Sequence, residues 1–242
     1  MDRMIYLSMS GAQAAMSRQD VLSNNLANAN SNGFRAELQA FRAVPIRGDG
    51  ASTRAFALET TTGHDLTAGP ITTTDRNLDV AMKGKSWMAV QALDGTEAYT
   101  RAGSMDVDQE GVLRMRNGLQ VLGDGGPITV PPNSTISIGD DGTVVAKADG
   151  QRPVNIGRIK LVTEDGRFTR RDDGLFIADG GDPLPADPAA RLQSGALEGS
   201  NVSPVETMVG MIAAARQFEQ QMKLLSIAQT HGQAASKLLS DS

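Results

Sequence analysis

Side chains able to do chemistry are sparse in this chain, and their spacing does not organise them. There are two histidines, His64 and His231, and no cysteine. Neither histidine has a second ligand or a triad partner at recognisable spacing, so metal-centre and nucleophile chemistry leave no signature. Asp106, Asp108, Glu110 and Gly111 imitate the opening of a calcium-binding EF-hand loop. That loop needs a glutamate at its twelfth position and a helix on each side. Here the twelfth residue is Asn117 and the flanks read as strands, which predicts a hairpin turn. Gly123-Asp124-Gly125-Gly126 is glycine-rich, yet Pro127 and a strand follow it in place of the helix N-terminus that holds a phosphate. The reading is no catalytic residue, no cofactor site, no metal ligand and no enzyme.

Composition narrows the partners. The chain has 242 residues, of which 40% are hydrophobic, enough for a real core. A net charge of −5 without any run of Lys or Arg attracts neither nucleic acid nor an anionic membrane. No stretch approaches the eighteen or so apolar residues of a membrane span. The segment 4–11 is apolar enough to suggest a leader, but Asp2 cancels Arg3 and Ser8, Ser10 and Gly11 interrupt it, so a cleaved signal peptide is not expected.

What the sequence does organise is its two ends. Ile5, Met9, Ala12 and Met16 recur at steps of four, three and four, which places them on one helix face within a helix over about 3–29. Asn28 to Gly33, rich in short polar side chains, stops that helix. At the other end Met208, Met211, Ala215, Phe218, Met222 and Leu225 alternate steps of three and four, the seam of a coiled coil. Ser203-Pro204-Val205-Glu206 is a capping box with proline at the first helical position. A helix running on to Leu239 would hold about 36 residues and span roughly 54 Å, with Gly232 as a possible early break.

Between the ends the pattern is short apolar runs over 87–92, 98–101, 105–107, 112–115, 128–130, 135–138, 143–146, 156–163 and 174–177. Asp94-Gly95, Asn117-Gly118, Asp141-Gly142, Asp149-Gly150 and Asp165-Gly166 separate them, each able to supply the positive φ of a tight hairpin. The expected fold class is therefore α+β, a mainly antiparallel β domain plus a discontinuous helical domain of paired N- and C-terminal coiled-coil-like helices. In residues, 1–33 and 200–242 form the helical domain, 34–70 a connector broken at Gly48, Gly50 and Gly63, 71–190 the β domain and 191–199 a linker.

Particular residues now carry a resemblance. Met1-Asp2-Arg3-Met4-Ile5-Tyr6 with Met9-Ser10-Gly11-Ala12, then Asn24-Asn25-Leu26-Ala27-Asn28-Ala29-Asn30 and Gly33-Phe34-Arg35, resemble the N-terminal signature of flagellar rod and hook proteins. Gly195-Ala196-Leu197-Glu198-Gly199-Ser200-Asn201-Val202 and Arg216-Gln217-Phe218-Glu219 resemble the C-terminal one. Leu78-Asp79-Val80-Ala81 and Tyr99-Thr100-Arg101 resemble the β region of the longer members. The resemblance implies a structural subunit of the bacterial basal-body rod, a tube around an export channel. It also implies rod proteins and further copies of itself as partners, and passage through the flagellar type III export apparatus. The opening hexapeptide and Trp87-Met88-Ala89-Val90-Gln91 resemble a proximal rod subunit, with a distal one as the alternative. A β domain that binds ligand or catalyses, with helical oligomerisation ends, is the alternative from another class.

The candidate site is accordingly an assembly interface formed by Ile5, Met9, Ala12, Met16, Asn25, Leu26, Asn28, Val205, Met208, Met211, Ile212, Ala215, Phe218, Met222 and Leu225. The same pattern also fits an ordinary intramolecular hairpin. Its methionines suit either role, because an unbranched thioether fills core gaps and irregular contacts alike.

Overall fold

A computed structural model describes residues 2–45, 55–148, 150–163 and 168–240. Gly48, Gly50, Asp149 and the Asp165-Gly166 turn lie outside them. The chain divides into two compact units, one made of Met1–Ala29, Ala36–Asp65 and Val202–Ser242, the other of Asn30–Arg35 and Leu66–Asn201.

The first unit holds both long helices. Helix α1 spans Asp2–Ala27 and ends where the Asn28 side chain turns back to donate to the Asn24 carbonyl at 3.0 Å. Helix α2 spans Pro204–Ser240, and its 37 residues pass through Gly232 unbroken. At its start the Ser203 hydroxyl accepts from the Glu206 amide at 3.5 Å and the Ser203 carbonyl from the Thr207 amide at 3.0 Å, filling the cap expected there. The helices pack on each other antiparallel, since Gly11 lies beside Gln221 and Leu22 beside Gly210. The termini thus pair, as the α+β reading requires, but the methionine stripes are not the seam. Buried on α1 are Ser8, Ala12, Ala14, Ala15 and Asn25, and on α2, among the described residues, Thr207, Ala214 and Ala228. Glycines make room for longer side chains across the pair: a β-carbon built on Gly11 would lie 2.9 Å from Gln221 Cδ, and one on Gly210 3.2 Å from Leu22 Cδ1.

The segment read as a connector carries a hairpin that belongs to the same unit, β1 (Glu37–Pro45) antiparallel to β2 (Ala55–His64). The extended run at Thr60-Thr61-Thr62 falls within β2. Asn25, 6% exposed, ties this hairpin to α1: its amide accepts from the Glu37 N–H at 2.9 Å and donates to the Glu37 carbonyl at 3.1 Å.

The second unit is antiparallel β throughout. Its strands are β3 (Ile71–Thr73), β4 (Val80–Met82), β5 (Ser86–Gln91), β6 (Glu97–Thr100), β7 (Met105–Val107), β8 (Leu113–Met115), β9 (Gln120–Gly123) and β10 (Gly126–Pro127). There follow β11 (Ser134–Ile138), β12 (Thr143–Ala148), β13 (Val154–Arg158), β14 (Leu161–Thr163), β15 (Phe168–Arg170), β16 (Phe176–Ala178), β17 (Leu192–Ser194) and β18 (Ala196–Glu198). The main sheet runs β15-β16-β6-β5-β9-β8-β7, with β14 also on β5 and β10 on β9. Strands β11-β12-β13 form a second sheet, and the ribbons β17-β4 and β18-β3 bring the end of the unit back to its beginning. The run 191–199, read as a linker, is therefore paired strand. Turn chemistry follows the Asx-Gly signals, as at Gly118, whose φ of 89° closes the β8–β9 hairpin.

Strand β5 is buried on both faces. Met88 and Val90 enter the main core with Val80, Met82, Met105, Leu113, Val121 and Leu161. Trp87 and Ala89 enter a second cluster, where Trp87 meets Phe168 edge-on at 5.0 Å and Tyr99 stacks on Phe168 at 5.3 Å. The Tyr99 hydroxyl donates to Glu97 at 2.9 Å and accepts from the Leu184 amide at 2.6 Å, anchoring the proline-rich run 180–188. Burial, followed by the hydrogen bond to Glu97, raises its pKa to about 12 against the lowering effect of the Leu184 amide.

Two outcomes follow. Gly103 passes so close to β4 that a β-carbon would lie 1.7 Å from the Val80 carbonyl oxygen. Gly103→Ala is expected to destabilise by about 3 kcal/mol or more, read by urea denaturation. The turn carboxylates of Asp94, Asp141 and Asp187 lie below the ordinary 3.8, chiefly because the hydroxyls of Thr96, Thr143 and Thr163 donate to them. A depressed folded pKa stabilises above the unfolded value and is lost as protons bind. The melting temperature should therefore hold across neutral pH and fall as pH drops below 3.8, with Asp141→Asn reducing that acid slope.

Candidate assembly surface and its anchor

On α2 the heptad positions separate into faces. Thr207, Ala214, Gln221 and Ala228 repeat by sevens and line the seam with α1. Met211, Phe218 and Leu225, displaced roughly 40° around the helix, are partly covered. Met208, Ala215 and Met222, displaced roughly 100°, turn outward, and Met208 and Met222 are 50% and 44% exposed. Val205 and Ile212 lie further round at 71% and 56% exposure. The single stripe read from sequence is thus two, one leaning into the helix pair and one facing out.

On α1 the outcome is similar. Met9 and Met16 are 57% and 53% exposed, whereas Ala12 is buried in the helix pair. Ile5 and Leu26 are partly covered, Asn28 closes the helix end, and Asn25 is held by the hairpin. Of the residues predicted for the interface, those largely exposed are Met9 and Met16 on α1 and Val205, Met208, Ile212 and Met222 on α2. The helix-pair residues missed from sequence, Ser8, Ala15, Thr207, Ala214 and Ala228, carry no hydrophobic signal because they are small or polar. Their seven-residue repeat was the available clue.

The second unit holds a feature with no sequence forewarning. Glu198, at the end of β18, is fully buried and accepts from Arg35 Nη2 at 2.5 Å, Arg101 Nε at 2.8 Å and the Gly69 amide at 3.0 Å. Its own carbonyl accepts from the Gly33 amide at 2.8 Å. Arg101 also donates to the carbonyls of Met82 and Gly84 at 2.9 and 2.8 Å, with its guanidinium 5.6 Å from the Trp87 ring centroid. Arg35 is wholly buried, and its Nε and Nη1 find no hydrogen-bond partner. A carboxylate shared by two guanidinium groups is a structural anchor: each of its oxygens is occupied, and neither is left to act on a substrate.

Elsewhere the chemistry-bearing residues are engaged or scattered. Asp106 lies within β7 and Asp108 begins the β7–β8 turn, and they are paired with Arg76 and Arg114, so the EF-hand-like run is a hairpin. Gly123-Asp124-Gly125-Gly126 is the β9–β10 turn. His64 ends β2 and His231 is exposed late in α2. A cleft of about 460 Å³ lies between the β7–β8 turn and residues 130–136, lined by Val107, Val130, Pro131, Pro132 and Ile136 with Asp108 and Glu110 on its wall. Among the described residues no group of three or more metal-type ligands converges, and no helix is long and apolar enough to cross a membrane.

Arg101 also satisfies the buried carbonyls of Met82 and Gly84, and leaving such groups without a partner costs about 1 to 3 kcal/mol each. Arg101→Met should lose that much in urea denaturation followed by the single tryptophan, Trp87. Lys83→Met, which removes an exposed pair at 4.0 Å, should leave the midpoint unchanged.

Three family models match along the chain: flagella basal body rod protein at residues 5–35, flagellar hook protein FlgE/F/G D1 domain at 81–146, and flagellar basal body rod FlgEFG protein C-terminal at 193–238. Flagellar basal-body rod protein FlgF of Salmonella typhimurium is 46% identical over 99% of both chains, and that of Escherichia coli 45% identical over the same share. Flagellar basal-body rod protein FlgG of Caulobacter vibrioides is 33% identical over 96% of this chain and 97% of its own. With helices paired from both ends, antiparallel sheets between them and near-full-length similarity at these levels, the chain belongs to the flagellar basal-body rod protein family.

Proposed function

We propose that this chain builds the rod by docking the outward apolar stripe of its terminal helices onto neighbouring subunits. It is a structural subunit of the flagellar basal body. The observation that carries the reading is the division of labour on α2. The face of small residues is consumed within the chain, while Val205, Met208, Ile212 and Met222 remain largely exposed. Fully burying a Val, Ile or Met side chain is worth about 1.5 to 3 kcal/mol. Four of them on one helix, with Met9 and Met16 on the other, form a surface that gains by association. Ala215, with Ile5 and the partly covered Met211, Phe218 and Leu225, extends the same interface, and Leu26 and Asn28 lie at the end of α1.

The partners in this reading are other copies and other rod proteins around the export channel, with torque passing through the packed helices. The 46% and 45% identity to the FlgF proteins of Salmonella typhimurium and Escherichia coli, against 33% to the FlgG protein of Caulobacter vibrioides, favours a proximal position over a distal one. Export through the type III apparatus without a cleaved leader goes with this reading, supported by the interrupted apolar run at the N-terminus. The engagement of Asp106, Asp108 and Glu198 by arginines supports a scaffold over a catalyst.

Because Met222 is 44% exposed, Met222→Asp should leave circular dichroism and the melting temperature of the isolated chain near wild type while abolishing rod assembly and motility in cells. Ala214→Asp, at a position 1% exposed in the helix pair, should instead destabilise the isolated chain. Normal motility with both Met208→Asp and Met222→Asp in place would overturn the interface.

A further inference from the structure

An Asp-Gly turn has a latent chemistry of its own. With no β-carbon to shield it, the glycine amide nitrogen can attack the aspartate side-chain carbonyl carbon, expelling water and closing a five-membered succinimide. Water then reopens the ring at either carbonyl. One product is the original aspartate; the other is isoaspartate, whose main chain runs through the former side chain and is one methylene longer. Among the described residues Asp-Gly occurs at Asp94, Asp124, Asp141, Asp173 and Asp179.

Three of these turns hold both reacting groups. The amides of Gly95, Gly142 and Gly174 donate to the carbonyls of Ala92, Gly139 and Arg171 at 2.9, 2.9 and 3.0 Å. The carboxylates of Asp94, Asp141 and Asp173 accept from the amides two residues on, at 3.0, 3.1 and 3.1 Å. Ring closure there must give up hydrogen bonds on both sides. At Asp179 the carboxylate accepts from the Thr169 hydroxyl at 3.3 Å. Asp124-Gly125 differs. Both residues are exposed at the β9–β10 turn, and neither the Asp124 carboxylate nor the Gly125 amide has a partner among the described residues. The Asp124 amide donates to the Arg158 carbonyl at 3.1 Å, which fixes the residue without engaging either reacting group. A β-carbon built on Gly125 or Gly126 would meet nothing within 4 Å, so the ring has room to form.

We propose that Asp124 is a modification site: the β9–β10 turn converts to isoaspartate through the Asp124-Gly125 succinimide and then presents a free α-carboxylate to an isoaspartyl methyltransferase. In that second step the methyl group of S-adenosylmethionine passes from its sulfonium to a carboxylate oxygen, and S-adenosylhomocysteine leaves. The added methylene falls at an exposed turn tip, where insertions are tolerated. Strand β10 beyond it is two residues long, and Pro127 has no amide to lose from the ladder, so the main sheet stays paired. The site goes beyond the assembly reading and does not rest on it, because the chemistry belongs to the isolated chain.

Ageing the full-length chain at neutral pH tests this, with isoaspartate measured peptide by peptide by mass spectrometry and by methyl transfer from labelled S-adenosylmethionine with an isoaspartyl methyltransferase. Isoaspartate derived from Asn32 or Asn117 is told apart by the mass that deamidation adds. In the folded chain isoaspartate should build up at Asp124 at least tenfold faster than at Asp94, Asp141 or Asp173, and ahead of Asp179, with the label on the Asp124 peptide. In concentrated guanidinium chloride the five sites should draw level, because the hydrogen bonds that separate them are gone. Gly125→Ala should cut the rate at Asp124 tenfold or more and leave circular dichroism and melting unchanged, since nothing crowds the new β-carbon. Equal rates at the five sites in the folded chain would overturn the proposal. So would an advantage for Asp124 that persists undiminished in guanidinium chloride, an unchanged rate in Gly125→Ala, or an aged chain whose Asp124 peptide takes up no methyl label.

Discussion

One carboxylate organises the β unit. Glu198 stands 163 residues from Arg35 and 97 from Arg101, and it meets both with no exposure to solvent. Moving such charges out of water is expensive, and their mutual attraction offsets that expense only where hydrogen bonds complete the geometry. At Arg101 they do, through two backbone carbonyls of the segment that leads into β5. The first strands of the unit are then fixed against its last, since β17 pairs with β4 and β18 with β3. A sheet built from short strands gains closure from this arrangement, because strands of three residues hold few hydrogen bonds of their own.

The helical unit is governed by a different constraint, the size of side chains at the contact. Ser8, Gly11, Ala12 and Ala15 against Gly210, Ala214 and Ala228 bury little apolar area per residue, so this seam contributes less than a leucine zipper of equal length. The hairpin β1–β2, tied on through Asn25, adds to it. The large apolar side chains are thereby left over. Met9 and Met16 on α1 and Val205, Met208, Ile212 and Met222 on α2 stay largely exposed.

How much of this was legible in the sequence depended on whether the cause was local. The capping box at Ser203–Glu206, the hairpin at Gly118 and the arrest of α1 beyond Ala27 are each decided by a few adjacent residues, and each lies where the pattern put it. The alternation across β5, with Trp87 and Ala89 on one side and Met88 and Val90 on the other, is hidden because both faces are apolar, so the strand reads as a continuous run. The hairpin at 37–64 escaped because the glycines around its middle read as breaks. The Glu198 cluster escaped because its partners are scattered over the chain, and a charged residue in a turn-rich region reads as solvated. The apolar pattern on α2 is legible in the sequence, but its division between the partly covered Met211, Phe218 and Leu225 and the exposed Met208 and Met222 depends on which face the chain's own α1 covers, which periodicity does not encode.

These two constraints suit a subunit that must be self-contained and sociable at once. A small-residue seam fixes the pairing of the two ends by shape, since a helix bearing larger side chains could not reach the same separation. The apolar stripe then remains available whatever the neighbour, and methionine at four of its positions, Met9, Met16, Met208 and Met222, lets one surface fit contacts that are not identical. Exchanging the faces would give a tighter monomer with nothing left to assemble. The distribution of side-chain size around α1 and α2 therefore says more than their hydrophobicity about which face the chain keeps for itself, because both candidate seams have heptad spacing.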